Sequence, residues 1–110
     1  MATYLLEISY TAEYIAAQIK KPQDRLKTAA VPVLEAAGGK LIGGGFSFGD
    51  PHAVMLFEAP NDQTAAAVTQ VTTAGGAIKA SRTTKLLSGS QWTSALRKAG
   101  KIAAAYTPAK

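Results

Sequence analysis

Two strand-like segments, 40–48 (KLIGGGFSF) and 52–58 (HAVMLFE), are separated only by Gly49, Asp50 and Pro51. A parallel neighbour needs a crossover of about a dozen residues or more, so a three-residue link leaves only an antiparallel hairpin. Every fold open to the chain therefore carries this hairpin. What precedes and follows it then decides the topology.

Residues 3–10 (TYLLEISY) read as a first strand, with Tyr4, Leu6, Ile8 and Tyr10 on one face. Thr11 is placed to cap a helix over AEYIAAQIKK, with Glu13 in its first turn where a negative charge suits the helix dipole. A second helical stretch, 23–37, repeats Leu26, Ala30, Val33, Leu34 and Ala37 at helical spacing; Pro32 predicts a kink or break inside it. Gly38 and Gly39 end it. After the hairpin, Pro60 and Asn61 start a helix over 62–74, a fourth strand runs over 77–87, and a last helix runs over about 90–99. With the first two helical stretches taken as one connection, the order is βαββαβ plus a terminal helix. That order is the ferredoxin-like arrangement: an α+β fold with one antiparallel four-stranded sheet. At 110 residues the chain fits one domain, here residues 1–100, with 101–110 as a tail.

Such a sheet has helices on one face only, so its other face should alternate to polar residues. The third strand does not, since Val54 and Leu56 point one way while Ala53, Met55 and Phe57 point the other. The second strand agrees, with Leu41 on one side and Ile42, Phe46 and Phe48 on the other. An apolar open face marks an interface, and the expectation is a homodimer or higher oligomer joined through it. The competing cover is the terminal helix and tail; Trp92, with Leu96 four residues later, predicts that this helix packs on the body.

Cysteine is absent, which excludes disulfides, thiolate nucleophiles and cysteine metal sites. No apolar run reaches the roughly 20 residues needed to span a bilayer, and no basic, then apolar, then small-residue pattern follows Met1. A cytoplasmic protein without membrane contact is expected. Residues 1–62 hold all seven acids and five bases, whereas residues 63–110 hold seven bases and no acid. That asymmetry either marks a small anionic partner or reflects lysines that keep an alanine-rich chain soluble. Nucleic acid is not expected, because no basic stretch is interleaved with aromatics.

His52 is the one side chain that ordinarily titrates near neutral pH, which makes it the acid–base candidate, with Asp50 two residues away to orient it. The plainer reading is a histidine hydrogen-bonded at a strand start. No nucleophile elbow and no metal-ligand cluster accompany it, so neither metal nor cofactor is expected. Arg82 lies mid-strand and is suited to bidentate capture of a carboxylate or phosphate, with Lys79 or Lys85 supplying point charges. Charges guarding an edge strand are the alternative. Glu7 faces away from the apolar side of the first strand, in reach of a fourth-strand base. Tyr10 and Tyr14 flank the strand-to-helix corner, where they either rim an opening or pack as core. The run GGKLIGGG fits no phosphate-loop spacing; Gly43–Gly45 predict a bulge or close approach of another backbone.

The stretches MATYLLEISYTAEYIAAQIKKPQDR, GGKLIGGGFSFG, FEAPNDQTAAAV and RTTKLLS resemble the GYD domain family of small bacterial proteins, out to about Gly100. The resemblance implies a ferredoxin-like fold of the dimeric α+β barrel type, and no established activity. The sequence departs from the family pattern at its signature: Gly49 is kept, but Pro51 and His52 stand where a Tyr-Asp pair would fall. Two functions follow as expectations. One is an oligomeric small-molecule-binding or structural module, with Arg82, Glu7, Tyr10 and Lys79 as ligand contacts. The other is a cofactor-free oxygenase or isomerase with His52 as acid or base.

Overall fold

The computed structural model describes residues 1–109. Strands β1 (Ala2–Tyr10), β2 (Lys40–Phe46), β3 (Ala53–Ala59) and β4 (Ile78–Leu86) form one sheet in the order β2-β3-β1-β4. All three neighbouring pairs are antiparallel. Helices α1 (Ala12–Lys20), α2 (Val31–Ala36) and α3 (Asp62–Ala74) follow in the predicted order, and α4 (Gly89–Ile102) ends the chain with a short 3₁₀ turn. The four-stranded antiparallel sheet and the βαββαβ order match the expectation.

Local signals explain these elements. Thr11 caps α1 by accepting from the Tyr14 amide at 3.1 Å, and Asn61 caps α3 by accepting from the Thr64 amide at 2.9 Å. The predicted break at Pro32 is resolved differently. A π-helical turn over Leu26–Ala30 runs directly into α2, placing the proline in its first turn. The turn before it is helical, so an amide at position 32 would have had a carbonyl to bond; the wider π spacing, seen in the Val31 amide bonding to the Leu26 carbonyl, is how the helix passes the proline.

The core lies between the sheet and its helices. Tyr4, Leu6, Ile8 and Tyr10 of β1 and Ala53, Met55, Phe57 and Ala59 of β3 are buried against Ala30, Leu34, Ala65 and Val68. Each large side chain so buried stabilises the fold by about 1.5–3 kcal/mol. On the opposite face Leu5, Glu7, Val54, Leu56 and Glu58 are half-buried. The second strand departs from its simple alternation. The β2–β3 register shifts between Leu41 and Gly43, so Gly43 lies opposite Leu56, Gly45 opposite Val54, and Phe46 opposite buried Ala53. One inserted residue, Ile42, flips everything after it to the other face.

At the sheet's end the Tyr4 hydroxyl donates to Asp62 Oδ1 at 2.7 Å, and Lys85 Nζ lies 2.9 Å from the same oxygen. The hydrogen bond to Asp62, with burial and the carboxylate charge behind it, pushes the Tyr4 hydroxyl from 10.0 up to about 12. In turn the Tyr4 hydroxyl first, and Lys85 second, hold the Asp62 carboxyl below its usual range. The raised Tyr4 group contributes stability that is complete below pH 10 and lost as pH rises towards about 12. The lowered Asp62 group contributes above the ordinary carboxylate value of about 4, and that contribution is lost on acidification. Urea midpoints against pH should therefore decline at both ends, and Tyr4→Phe should flatten both declines. Profiles that stay parallel would refute this link.

Candidate functional site

A cavity of about 210 Å³ lies between the helix-facing side of the sheet and the helices. Ile8, Tyr10, Ala53 and Met55 form its floor; the π turn and α2 supply Leu26, Ala30 and Val33 above, and α3 supplies Val71. The lining is largely apolar; its polar side chains are those of Tyr10, Tyr14, Arg25 and Thr72. Tyr14 stands in the first turn of α1, and its hydroxyl is buried without a hydrogen-bond partner. The Arg25 guanidinium sits 5.6 Å from the centre of the Tyr14 ring, within cation–π range. Arg25 precedes the π turn, so the wide turn that accommodates Pro32 also shapes the cavity roof. Such turns recur at functional sites.

Tyr10 links these residues to the hairpin. Its ring packs on Tyr14 with centroids 5.2 Å apart and on His52 at 5.8 Å. Burial, and then the neighbouring Tyr14, push the Tyr10 hydroxyl up, with Arg25 opposing them. The Tyr10 hydroxyl is therefore protonated at neutral pH and available as a donor.

His52 is held by backbone. Its Nδ1 accepts from the Tyr10 amide at 3.0 Å, its own amide donates to the Ile8 carbonyl at 2.8 Å, and its carbonyl accepts from the Ser47 amide at 2.8 Å. The ring thus docks the hairpin onto the end of β1, and in its neutral form carries the proton on Nε2. It does not line the cavity. Asp50 does not orient it: the carboxylate instead faces Lys79 Nζ at 3.3 Å. The Ser9 hydroxyl first, and Lys79 second, hold the Asp50 carboxyl below its usual range.

Glu7, Asp50 and Arg82 do come together, with Ser9, around a shallow, open depression on the opposite side of the sheet. Glu7 faces Arg82 across the β1–β4 ladder but forms no ion pair with it within 4 Å. The predicted site residues are thus divided by the sheet. Tyr10 belongs to the cavity; Glu7, Asp50 and Arg82 belong to the depression, with Lys79 bound to Asp50 beside it. Arg25 was not anticipated, although it is the sole arginine of residues 1–62. Among the described residues, no group of three or more His, Cys, Asp or Glu is arranged to hold a metal, and no helix is long and apolar enough to cross a membrane.

Comparisons agree with this architecture. A crystal structure of protein Atu4242 from Agrobacterium tumefaciens is 13% identical and covers 79% of this chain and 92% of its own, with a TM-score of 0.50. A crystal structure of an uncharacterized NIPSNAP domain protein from Burkholderia xenovorans is 12% identical, covers 81% and 95%, and also has a TM-score of 0.50. At such identities the likeness is one of fold. A search of curated proteins finds no match. The model of the GYD domain matches residues 4–96, spanning all four strands and the helices between them, and the chain belongs to the GYD domain family.

Proposed function

We propose that the chain is a small-molecule-binding protein whose ligand is a small amphipathic anion, an aryl or short alkyl carboxylate, held between sheet and helices. One observation carries this reading: the Arg25 guanidinium lies over the ring of Tyr14, whose buried hydroxyl has no hydrogen-bond partner, and both residues line a largely apolar cavity. Buried polar groups are nearly always hydrogen-bonded, and an orphan costs about 1–3 kcal/mol. A carboxylate beside them would accept from Tyr14 and pair with Arg25, while its apolar body fills the cavity. Pockets of this composition, apolar with a few convergent polar groups, are the usual form of small-molecule sites. The protein works as an oligomer joined through the open sheet face, whose half-buried Leu5, Val54 and Leu56 have no covering helix in the chain. Against a reaction with His52 as base stands the occupation of its Nδ1 by the Tyr10 amide.

Calorimetric titration with phenylacetate and its uncharged amide tests the ligand class. Phenylacetate should bind, the amide should bind far less, and Arg25→Ala should weaken phenylacetate binding about 10–100-fold, the worth of one charged hydrogen bond. Tyr14→Phe should weaken binding while stabilising the free protein by about 1–3 kcal/mol, because the orphan hydroxyl is gone. Equal binding of acid and amide, or an Arg25→Ala variant that binds as wild type, would overturn the reading.

A further inference from the structure

His52 does not line the cavity, yet its contacts join the hairpin to the cavity wall. The β1–β3 ladder ends at the pair Ile8 and Ala53, two residues short of Tyr10. The ladder thus offers the Tyr10 amide no carbonyl of β3, and the imidazole Nδ1, 3.0 Å away, takes that place. The same ring packs on the Tyr10 ring, with centroids 5.8 Å apart and planes 28° from parallel. Tyr10 lines the cavity and packs in turn on Tyr14, which carries Arg25 over its ring. One imidazole is therefore bonded to the backbone, and stacked on the side chain, of a residue in the cavity floor.

Only the neutral ring can hold this arrangement. With its proton on Nε2 the imidazole has a lone pair on Nδ1; an imidazolium carries N–H on both nitrogens and has no acceptor left. Protonation sets two N–H donors 3.0 Å apart. Turning the ring over presents a C–H to the amide instead, so no rotamer restores the bond. Relief requires the ring to move off the Tyr10 amide, and the Tyr10 ring loses its stacking partner with it.

The surrounding charges leave His52 as the group that switches. Asp50 faces it from the same turn, but the Ser9 hydroxyl of β1 first, and Lys79 of β4 second, hold that carboxyl below its usual range. Burial first, and then Tyr14 of α1, push the Tyr10 hydroxyl up, with Arg25 and Asp24 acting on it from the segment before the π turn. Aspartate, tyrosine, lysine and arginine ordinarily titrate outside the range from about pH 5.5 to 7.5, and histidine titrates within it.

We infer that His52 is a positioning residue for the cavity: its neutral ring fixes Tyr10 in the wall of the ligand site, and its protonation releases Tyr10 and weakens ligand binding. This rests on the reading that the cavity holds a small carboxylate, and it makes pH the regulator of that site through the hairpin. The sign separates positioning from charge. An imidazolium acting only as a charge attracts an anion and tightens binding in acid, whereas loss of the Tyr10 anchor loosens it. By linkage, a bound carboxylate holds the ring neutral to the same extent.

The full chain carries one histidine, so its ring signals are unambiguous in a magnetic-resonance titration. The ligand-free chain is titrated from about pH 8 to about pH 5.5, following the His52 ring nitrogens and the Tyr10 amide. Calorimetry then measures phenylacetate, which stays ionised in this range, at about pH 7.5 and about pH 5.5. The Tyr10 amide and the ring should share one midpoint. The phenylacetate dissociation constant should rise about five- to tenfold in acid, as the fraction of neutral histidine falls. His52→Asn keeps a side-chain oxygen near the Nδ1 position and has no charge to gain, so its binding should not change with pH. A histidine that only supports the fold would shift the unfolding midpoint of this variant and leave its binding profile sloped as in wild type. That sloped profile, or wild-type binding that is unchanged or tighter in acid, overturns the inference and leaves the ligand reading intact. A Tyr10 amide that ignores the titration of the ring also overturns it. Absence of phenylacetate binding at either pH, with the amide still following the ring, overturns the ligand reading and upholds the grip of His52 on Tyr10.

Discussion

Replacing Phe57 by alanine is expected to lower the unfolding free energy by about 3–5 kcal/mol. Phe57 is fully buried on an inner strand, opposite Tyr4 on one side and Leu41 on the other. Its ring stacks on Tyr4 with centroids 5.4 Å apart and planes 24° from parallel. Truncation removes the transfer free energy of the ring and leaves a void that the sheet backbone cannot close. Domains of this size are stable by only about 5–15 kcal/mol, so the loss is a large fraction of the total. Phe48 provides the contrast. It lies past the end of β2, fully exposed, and Phe48→Ala should change stability by no more than about 0.5 kcal/mol. Urea melts of both variants check this, with a midpoint shift at constant slope expected for Phe57→Ala alone. A Phe57→Ala loss below about 1 kcal/mol would place the core elsewhere.

The second large effect comes from a glycine. Gly44 has φ of 153°, and a Cβ built there would collide with the carbonyl oxygen of Val54 on the paired strand. That oxygen is backbone within a ladder, so it cannot swing away as a side-chain end would. Gly44→Val therefore combines an unfavourable backbone conformation with overpacking, and should cost about 2–5 kcal/mol. The neighbouring Gly45→Val, one residue along the same strand, should cost the isolated chain nothing. Thermal melts of the two variants separate the glycine that the ladder geometry requires from the one it does not. Equal melting points would refute the assignment of Gly44 to internal geometry.

The strand and helix order was legible because local signals agreed with one another. The three-residue hairpin link, the alternation of Tyr4, Leu6, Ile8 and Tyr10, and the caps Thr11 and Asn61 each point to the element observed. Three features escaped. The π turn at Leu26–Ala30 has no sequence signature beyond the proline that follows it. The register shift at Ile42 depends on which strand pairs with β2, so alternation alone placed Ile42, Phe46 and Phe48 on one face. The exposure of α4 escaped because amphipathic spacing marks an apolar stripe and carries no information on what packs against it. The site was legible in part. Tyr10 and Tyr14 flank the corner they were read to flank, but Arg25 joins them from another element, and no spacing connects residues brought together by tertiary folding. The hairpin histidine drew attention by its residue type, and its contacts show it holding backbone.

The division of charged residues by the sheet bears directly on where a ligand sits. An anion recognised by Arg82 would lie in the open depression with Glu7 and Asp50, both carboxylates that oppose it. An anion recognised by Arg25 would lie in a largely apolar cavity whose other polar side chains, Tyr10, Tyr14 and Thr72, carry hydroxyls and no negative charge. Coulombic attraction in the second setting is less screened and meets no like charge among the cavity's lining groups.

Amide and methyl chemical-shift mapping during titration with phenylacetate tests this most directly. The perturbations should centre on Tyr10, Tyr14, Arg25, Val33 and Met55, and should vanish in Arg25→Ala. Perturbations centred on Glu7, Asp50 and Arg82, or none at millimolar phenylacetate, would contradict the placement of the site between sheet and helices.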